Sequence, residues 1–349
     1  MQSTPEGYQV AAVEQWVREN IAALTPPFKW IKLEGGHSNL TYLIEDQNAK
    51  KAVIRRPPLG ELLPKAHDMS REWSVISALN KTNVPVPHAY GFCENPEITG
   101  AWFYIMGWVE GKALQTNQDT EQWVGEAARP NLAISFIDAL ADLHAVEPDA
   151  VGLSTLGKKE AYIQRQINTW YRSWTSSAAP AQFDDPRAHD IKLYLSENIP
   201  LQEPAKIVHG DYGLHNVLVT AEGEVKAVVD WEICTLGDPL ADLAYALNQW
   251  VQASDPILAK VDAATLVPGF PGRDSLTERY QQKTGRDLSQ LDFYIGFNYW
   301  KSACILHGVY ARYREGKKST EGINLDDLRQ RIENSLGLSQ YAIDRLKSK

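Results

Sequence analysis

The sequence predicts an α+β fold in two lobes, on three observations. Its 349 residues are more than one compact core usually takes, so two lobes are the default. Strand-patterned segments at 30–33, 40–44, 52–56, 90–93 and 101–106 crowd the first third around a helix pattern. The remainder reads as helix, interrupted by one β-hairpin over 217–229. The expected architecture is a mostly antiparallel five-stranded sheet with a helix, followed by a larger, mainly helical lobe that carries the hairpin.

The elements follow in order. Between residues 8 and 24, Val10, Val13, Trp16, Val17, Ile21 and Leu24 recur at helical spacing, and Pro26-Pro27 stop that helix. Trp30 to Leu33 forms a strand that runs into Gly35-Gly36-His37-Ser38-Asn39, and Leu40 to Ile44 is the next strand. A Gly-Gly-polar turn frees backbone N–H groups to face an anion, and an ordinary β-turn is the alternative. In the third strand, from Ala52, period-two alternation points Val53 and Arg55 to one face and Arg56 away, as a solvated edge charge. Pro64 to His67 reads as loop. Asp68 opens a helix with Trp73, Ile76 and Leu79 on its apolar face. Val84-Pro-Val-Pro87 is extended, two strands complete the sheet, and Gly107-Trp-Val-Glu-Gly111 leads onward.

In the second lobe, Asn131 to His144 is an amphipathic helix (Leu132, Phe136, Leu140, Leu143), with His144 structural near its C-terminus. Residues 157–205 hold Trp170, Tyr171, Trp174, Phe183 and Tyr194, more core than ligand contact, among Lys158, Lys159, Arg165, Arg172 and Arg187. Gly237-Asp238-Pro239 is a turn, and a helix starts at Leu240. Helices from Leu276 onward carry Phe293, Tyr294, Phe297, Tyr299, Trp300, Tyr310 and Tyr313.

Composition narrows the function. A net charge of −9 disfavours nucleic acid and anionic membrane as partners. Cys93, Cys234 and Cys304 are too scattered for a metal or disulfide framework, which fits a reducing cytoplasm. The N-terminus lacks the pattern of a signal peptide, and no run of eighteen apolar residues spans a membrane.

The chemistry concentrates in Ile207-Val-His-Gly-Asp-Tyr-Gly-Leu-His-Asn-Val-Leu-Val219 and in Val229-Asp230-Trp231. Asn216 and Asp230 sit at the open end of the hairpin, and Asp211 on the loop entering it. Phosphoryl transfer needs Mg²⁺ held against phosphates and an acceptor hydroxyl held in line. Mg²⁺ takes oxygen ligands, usually one or two from protein, which Asn216 and Asp230 could supply. Asp211, off the metal, could orient the hydroxyl and take its proton. Protein kinases write the same logic as His-Arg-Asp-x-x-x-x-Asn with a later Asp.

His209-Gly-Asp211, Asn216, Val229-Asp230-Trp231 and Thr235-Leu-Gly-Asp-Pro-Leu-Ala-Asp-Leu-Ala244 resemble the aminoglycoside phosphotransferase family. These are small-molecule kinases related to protein, choline and fructosamine kinases. The subgroup most resembled includes the kinase-like half of fused acyl-CoA dehydrogenase proteins, where an Arg-Arg-Pro-Pro run such as 55–58 is typical. The likeness covers Gly35 to Trp250. It implies a bilobal protein-kinase-like fold: a nucleotide-binding lobe over 1–106, a hinge at 107–111 and a catalytic lobe over 112–349. It also implies ATP, with GTP as the alternative, and Mg²⁺ as cofactors. Gly35, Gly36, His37, Ser38 and Asn39 would cover the phosphates. Arg55, in place of the usual Lys, would reach the α- and β-phosphates and pair with Glu72. The backbone of Gly107 and Val109 would hold adenine. Asp242 would tie down the catalytic loop. The role of His215 is open between substrate contact and none.

The leading reading is a cytoplasmic ATP-dependent kinase acting on a hydroxylated small molecule. The basic residues within 157–205 suggest a hydroxyacyl thioester or another anionic, partly apolar acceptor. An antibiotic kinase, a nucleotide-binding module without catalysis and a protein kinase are the alternatives. The last lacks Asp-Phe-Gly and Ala-Pro-Glu signals.

Overall fold

The computed structural model describes residues 5–33, 39–60, 68–257 and 262–348. Helix α1 (Val10–Asn20) precedes strands β1 (Lys29–Lys32), β2 (Leu40–Glu45) and β3 (Lys51–Arg56). Helix α2 (Met69–Leu79), β4 (Ala89–Cys93) and β5 (Phe103–Gly107) follow. The sheet order is β1-β2-β3-β5-β4, every pair antiparallel. α1 is shorter than its apolar spacing predicts. Ile21 caps it by donating to the Val17 carbonyl, and Ile21 and Leu24 bury outside the helix. Asp68 is the N-cap of α2, its carboxylate accepting from the Ser70 and Arg71 N–H groups.

Alternation sorts the sheet into two apolar faces. Ala52 and Ile54 of β3 and Phe103 and Ile105 of β5 pack with α1. Val53, Tyr104 and Met106 face the other way, onto α2, and join the core of the helical lobe without a break. Arg56 lies on the α1 face, as alternation requires, but it is not solvated. It is 4% exposed and donates to the Gly7, Pro57 and Thr99 carbonyls. The N-terminal segment folds back over the sheet, its Tyr8 ring lying 6.0 Å from the guanidinium, and takes the place of water.

The helical lobe contains α3 (Asn117–Trp123), α4 (Arg129–Ala145), α5 (Tyr162–Ala181) and α6 (Pro186–Glu197). Then come β6 (Lys206–Val208), β7 (Val217–Val219), β8 (Val225–Val228) and β9 (Thr235–Gly237). α7 (Pro239–Gln249), α8 (Arg273–Thr284), α9 (Leu291–Arg314) and α10 (Leu325–Lys347) complete the chain. α9 lies at the centre against α5, α7 and α10, burying Phe293, Phe297 and Trp300. Trp174 is also fully buried, stacked on His307 at 3.9 Å.

β7 and β8 form the expected hairpin. β6 pairs antiparallel with β9, a strand absent from the sequence reading, which has a turn beginning at Gly237. Gly237 permits the pairing, because a Cβ there would lie 2.8 Å from the Tyr162 ring and 2.9 Å from Val208. The three cysteines are buried and unpaired. Among the described residues no helix is long and apolar enough to cross a membrane.

Candidate active site

β6 delivers the chain into His209-Gly210-Asp211, and α7 clamps it there. One Asp242 carboxylate oxygen accepts the His209 N–H at 2.7 Å and the other the Gly210 N–H at 2.8 Å. Behind Asp242, His144 places Nε2 3.3 Å from the carboxylate and Nδ1 2.7 Å from the Tyr280 hydroxyl. Burial pushes the His144 pKa down, so the ring is neutral: Tyr280 donates to Nδ1, and Nε2–H donates to Asp242. Burial alone would raise the Asp242 pKa, but the hydrogen bonds from His144 and the Gly210 N–H hold it below its usual value. His209 joins the loop to the far strand: Nε2 donates to the Val229 carbonyl at 2.9 Å and Nδ1 faces the Asp211 N–H at 3.3 Å. The Val229 N–H in turn donates to the Asn216 carbonyl at 2.9 Å. The loop bearing Asp211 and the strand end bearing Asp230 thus form one hydrogen-bonded unit.

Asp211 is held from three sides. The Tyr245 hydroxyl donates to Oδ1, and His215 Nε2 lies 3.3 Å from the same oxygen. Asn216 Nδ2 donates to Oδ2 and to the Asp211 main-chain carbonyl, both at 3.0 Å. Burial would raise the Asp211 pKa, but the His215 bond and charge, then Tyr245 and His209, bring it to about 2. Burial and Asp211 keep the Tyr245 hydroxyl protonated, and so a donor. His215 folds back over Gly213, where a Cβ would lie 2.5 Å from the ring carbon Cε1. Asn216 spends its nitrogen on Asp211, which leaves its side-chain oxygen for a metal.

Across the cleft, Arg55 Nη2 lies 3.5 Å from Glu72 Oε1 and 3.1 Å from Asp230 Oδ1. The first is the pair the sequence puts together, and the second links the sheet directly to the hairpin mouth. Glu72, 1% exposed, also accepts from the Tyr104 hydroxyl at 2.7 Å. Burial raises its pKa against the pull of Arg55 and Tyr104. Asp230 has φ +67°, a left-handed conformation uncommon for a residue with a Cβ, of the kind that clusters at functional positions. Ligand oxygens of Glu72, Asp230 and Glu232 lie within 4.8 Å of one another. Glu72 and Asp230 both pair with Arg55, and carboxylate oxygens at Asp230 and Glu232, with the Asn216 side-chain oxygen, are the hard donors that could hold Mg²⁺.

The remaining expected site residues are placed unevenly. Gly35, Gly36, His37 and Ser38 lie outside the described residues, as do Pro64 to His67. Asn39 is buried at the start of β2. Gly107 ends β5 with its N–H given to the His88 carbonyl at 2.7 Å, so only its carbonyl can meet a base edge. Val109 lines a cavity of about 570 Å³ with Trp108, Gly111 and Trp123.

Another cavity, of about 490 Å³, lies beside the catalytic loop, lined by His215, Tyr245, Leu114, Tyr299, Ile305 and Arg331 among others. No residue from 157–205 lines it. Three of the five basic side chains named there have partners within the protein. Lys159 pairs with Asp149 at 2.7 Å, Arg187 with Asp185 at 2.7 Å, and Arg165 donates to the Lys158 carbonyl at 2.8 Å. Tyr104, Tyr245 and Glu232 were not singled out from the sequence. Tyr245 carried a usable signal, since it lies one helical step (i, i+3) from Asp242 and so faces the same loop.

The model of the phosphotransferase enzyme family matches residues 29–279, most of the chain. The chain belongs to that family. The phosphotransferase is 33% identical over 303 residues to mouse acyl-CoA dehydrogenase family member 10, covering 85% of this chain and 28% of the mouse protein. It therefore corresponds to a portion of that longer relative. In structure it is similar to a Ralstonia eutropha JMP134 protein provisionally named an aminoglycoside phosphotransferase, with a TM-score of 0.81 and 28% identity over 96% of this chain and 99% of that one. ADP-bound aminoglycoside phosphotransferase APH(2'')-Ib shares the fold at a TM-score of 0.58 and 14% identity, over 95% and 99% of the two chains. The phosphotransferase is a small-molecule kinase with the α+β protein-kinase-like fold.

Proposed function

We propose that this kinase transfers the γ-phosphoryl group of ATP, in the presence of Mg²⁺, to a hydroxyl of a small, anionic, partly apolar acceptor. The observation that carries the proposal is the convergence of Asp211, Asn216, Asp230 and the Arg55–Glu72 pair on one cleft. Asn216 and Asp230, with Glu232 beside them, would hold Mg²⁺, whose charge offsets that of the phosphate oxygens. Arg55, steadied by Glu72, would grip the α- and β-phosphates bidentately. The 35–39 turn would cover them, and the Gly107 carbonyl and Val109 backbone would hold the base. Asp211 orients the acceptor hydroxyl. A pKa of about 2 makes it a weak base, so the proton passes late, as the oxygen bonds to phosphorus and becomes acidic.

The cavity beside Asp211 favours an anionic acceptor over an antibiotic. Among the described residues its lining includes Arg331 and one carboxylate, Asp262, with apolar and neutral side chains around them, where a polyamine would call for several carboxylates. The test is ATP consumption with panels of hydroxylated metabolites, acyl-CoA esters and aminoglycosides. Stimulation by anionic hydroxyl compounds is expected. Stimulation by aminoglycosides alone would replace this reading with an antibiotic kinase. Nucleotide binding without turnover on any panel would favour a non-catalytic module.

The Arg55 pair supplies a further check. Catalytic efficiency with ATP should fall in the order wild type, Arg55→Lys, Arg55→Ala, because lysine keeps the charge and loses the fork. Glu72→Gln should raise KM for ATP with the fold intact. A double-mutant cycle on the two positions should give a coupling of about 0.5–3 kcal/mol, and additive effects would separate them.

A further inference from the structure

Lys301 lies on α9, half-buried, with its ammonium 5.8 Å from the Tyr245 ring and 5.9 Å from the Trp170 ring. Among the described residues it has no hydrogen bond and no carboxylate within 4.0 Å. Two arginines of the same lobe show the usual arrangement: buried Arg129 donates to the Val124 and Pro268 carbonyls, and half-buried Arg273 pairs with Asp255. Two ring faces attract an ammonium but do not accept its three N–H groups as oxygens would. A cation taken partly out of water without a partner is costly. An anionic ligand would relieve that cost, and holding one would be a function for the side chain.

The surroundings indicate that function. Tyr245 donates its hydroxyl to Asp211 and turns its ring to Lys301, so a single tyrosine ring separates the ammonium from the Asp211 carboxylate. One helical turn past Lys301, Ile305 lines the cavity beside the catalytic loop, as do Tyr245 and Leu306. A molecule with its hydroxyl on Asp211 and apolar carbons against this wall would bring an anionic group to Lys301 if the two polar ends were a few bonds apart.

We infer that Lys301 is a specificity-determining residue that holds the anionic group of the phosphoryl acceptor while the acceptor's hydroxyl lies at Asp211. The inference rests on the anionic-acceptor reading above and adds the side chain that recognises the anion and its spacing from the reacting hydroxyl. Burial lowers the Lys301 pKa, while the Asp242 and Asp211 carboxylates draw it back up. An incoming anion would do the same at closer range.

The test uses hydroxyhexanoates with the hydroxyl at each carbon in turn, each matched with its neutral carboxamide. Wild type, Lys301→Met and Lys301→Arg are compared for kcat/KM and for Tm. Wild type should prefer the carboxylate. Lys301→Met should lose that preference by about 10-fold or more, the usual worth of a hydrogen bond to a charged group, mainly through KM, and Lys301→Arg should recover part of it. The Tm of Lys301→Met should equal or exceed that of wild type, because an unpaired charge has been removed. Retained discrimination, or a Tm several degrees lower, would overturn the assignment of Lys301 and leave the anionic acceptor standing. A wild type with no preference for the carboxylate would remove the anionic acceptor itself, and the role of Lys301 with it.

Discussion

Asp211→Ala is expected to lower kcat about 10²–10⁴-fold, the usual worth of a group that positions a nucleophile and receives its proton. The side chain is fixed by Tyr245, Asn216 and His215, none of which depends on it for its own place in the backbone. The purified variant should therefore melt as a folded protein, and its KM for ATP should change little. With a pKa of about 2, the carboxylate is ionised throughout the neutral range. The wild-type rate should consequently show no acid limb from Asp211 above about pH 4, since protonation begins only near the pKa. Near-normal turnover in the folded variant would remove Asp211 from this role.

Asp230→Ala is expected to abolish Mg²⁺-dependent turnover, by about 10³-fold or more, since a catalytic metal supplies several kcal/mol of transition-state stabilisation. Asn216→Ala should shift the Mg²⁺ requirement to higher concentration and leave turnover measurable. Asp230 contributes a full charge at a position whose left-handed backbone is built around it, whereas Asn216 contributes a dipole and also braces Asp211. Titrating Mg²⁺ against rate in each variant distinguishes them. If both variants kept the wild-type metal dependence, the hairpin would be only structural.

What the sequence revealed of this site depended on locality. Strand alternation is local, so Val53 and Arg55 were assigned to one face, and Arg55 lies 3.5 Å from Glu72. The Asp68 cap and the strands on either side of Ala221-Glu-Gly223 are local too. The parts that escaped were created by distant chain. Tyr245 meets Asp211 across 34 positions, and the Arg56 guanidinium is covered by a segment 49 residues earlier. β9 is three residues long and exists only because β6 comes to lie beside it. Of the cations in 157–205, Lys159, Arg165 and Arg187 pair with neighbours that composition cannot reveal. Lys301, without such a neighbour, resembled any other helix lysine.

The unbroken core between the sheet and the helical lobe bears on how the molecule comes apart. Val53, Tyr104 and Met106 are packed in the same apolar mass as α4 and α9, so neither lobe can lose its packing without exposing the other's. Apolar area exposed to water costs about 25 cal/mol per Å², and hinging that pulled these surfaces apart would incur that cost at every opening. Breathing of the nucleotide cleft should therefore be confined to strand ends and to the stretch after β5. Thermal unfolding should proceed as a single cooperative transition, with the amides of β3, β5 and α9 exchanging only when the whole chain opens.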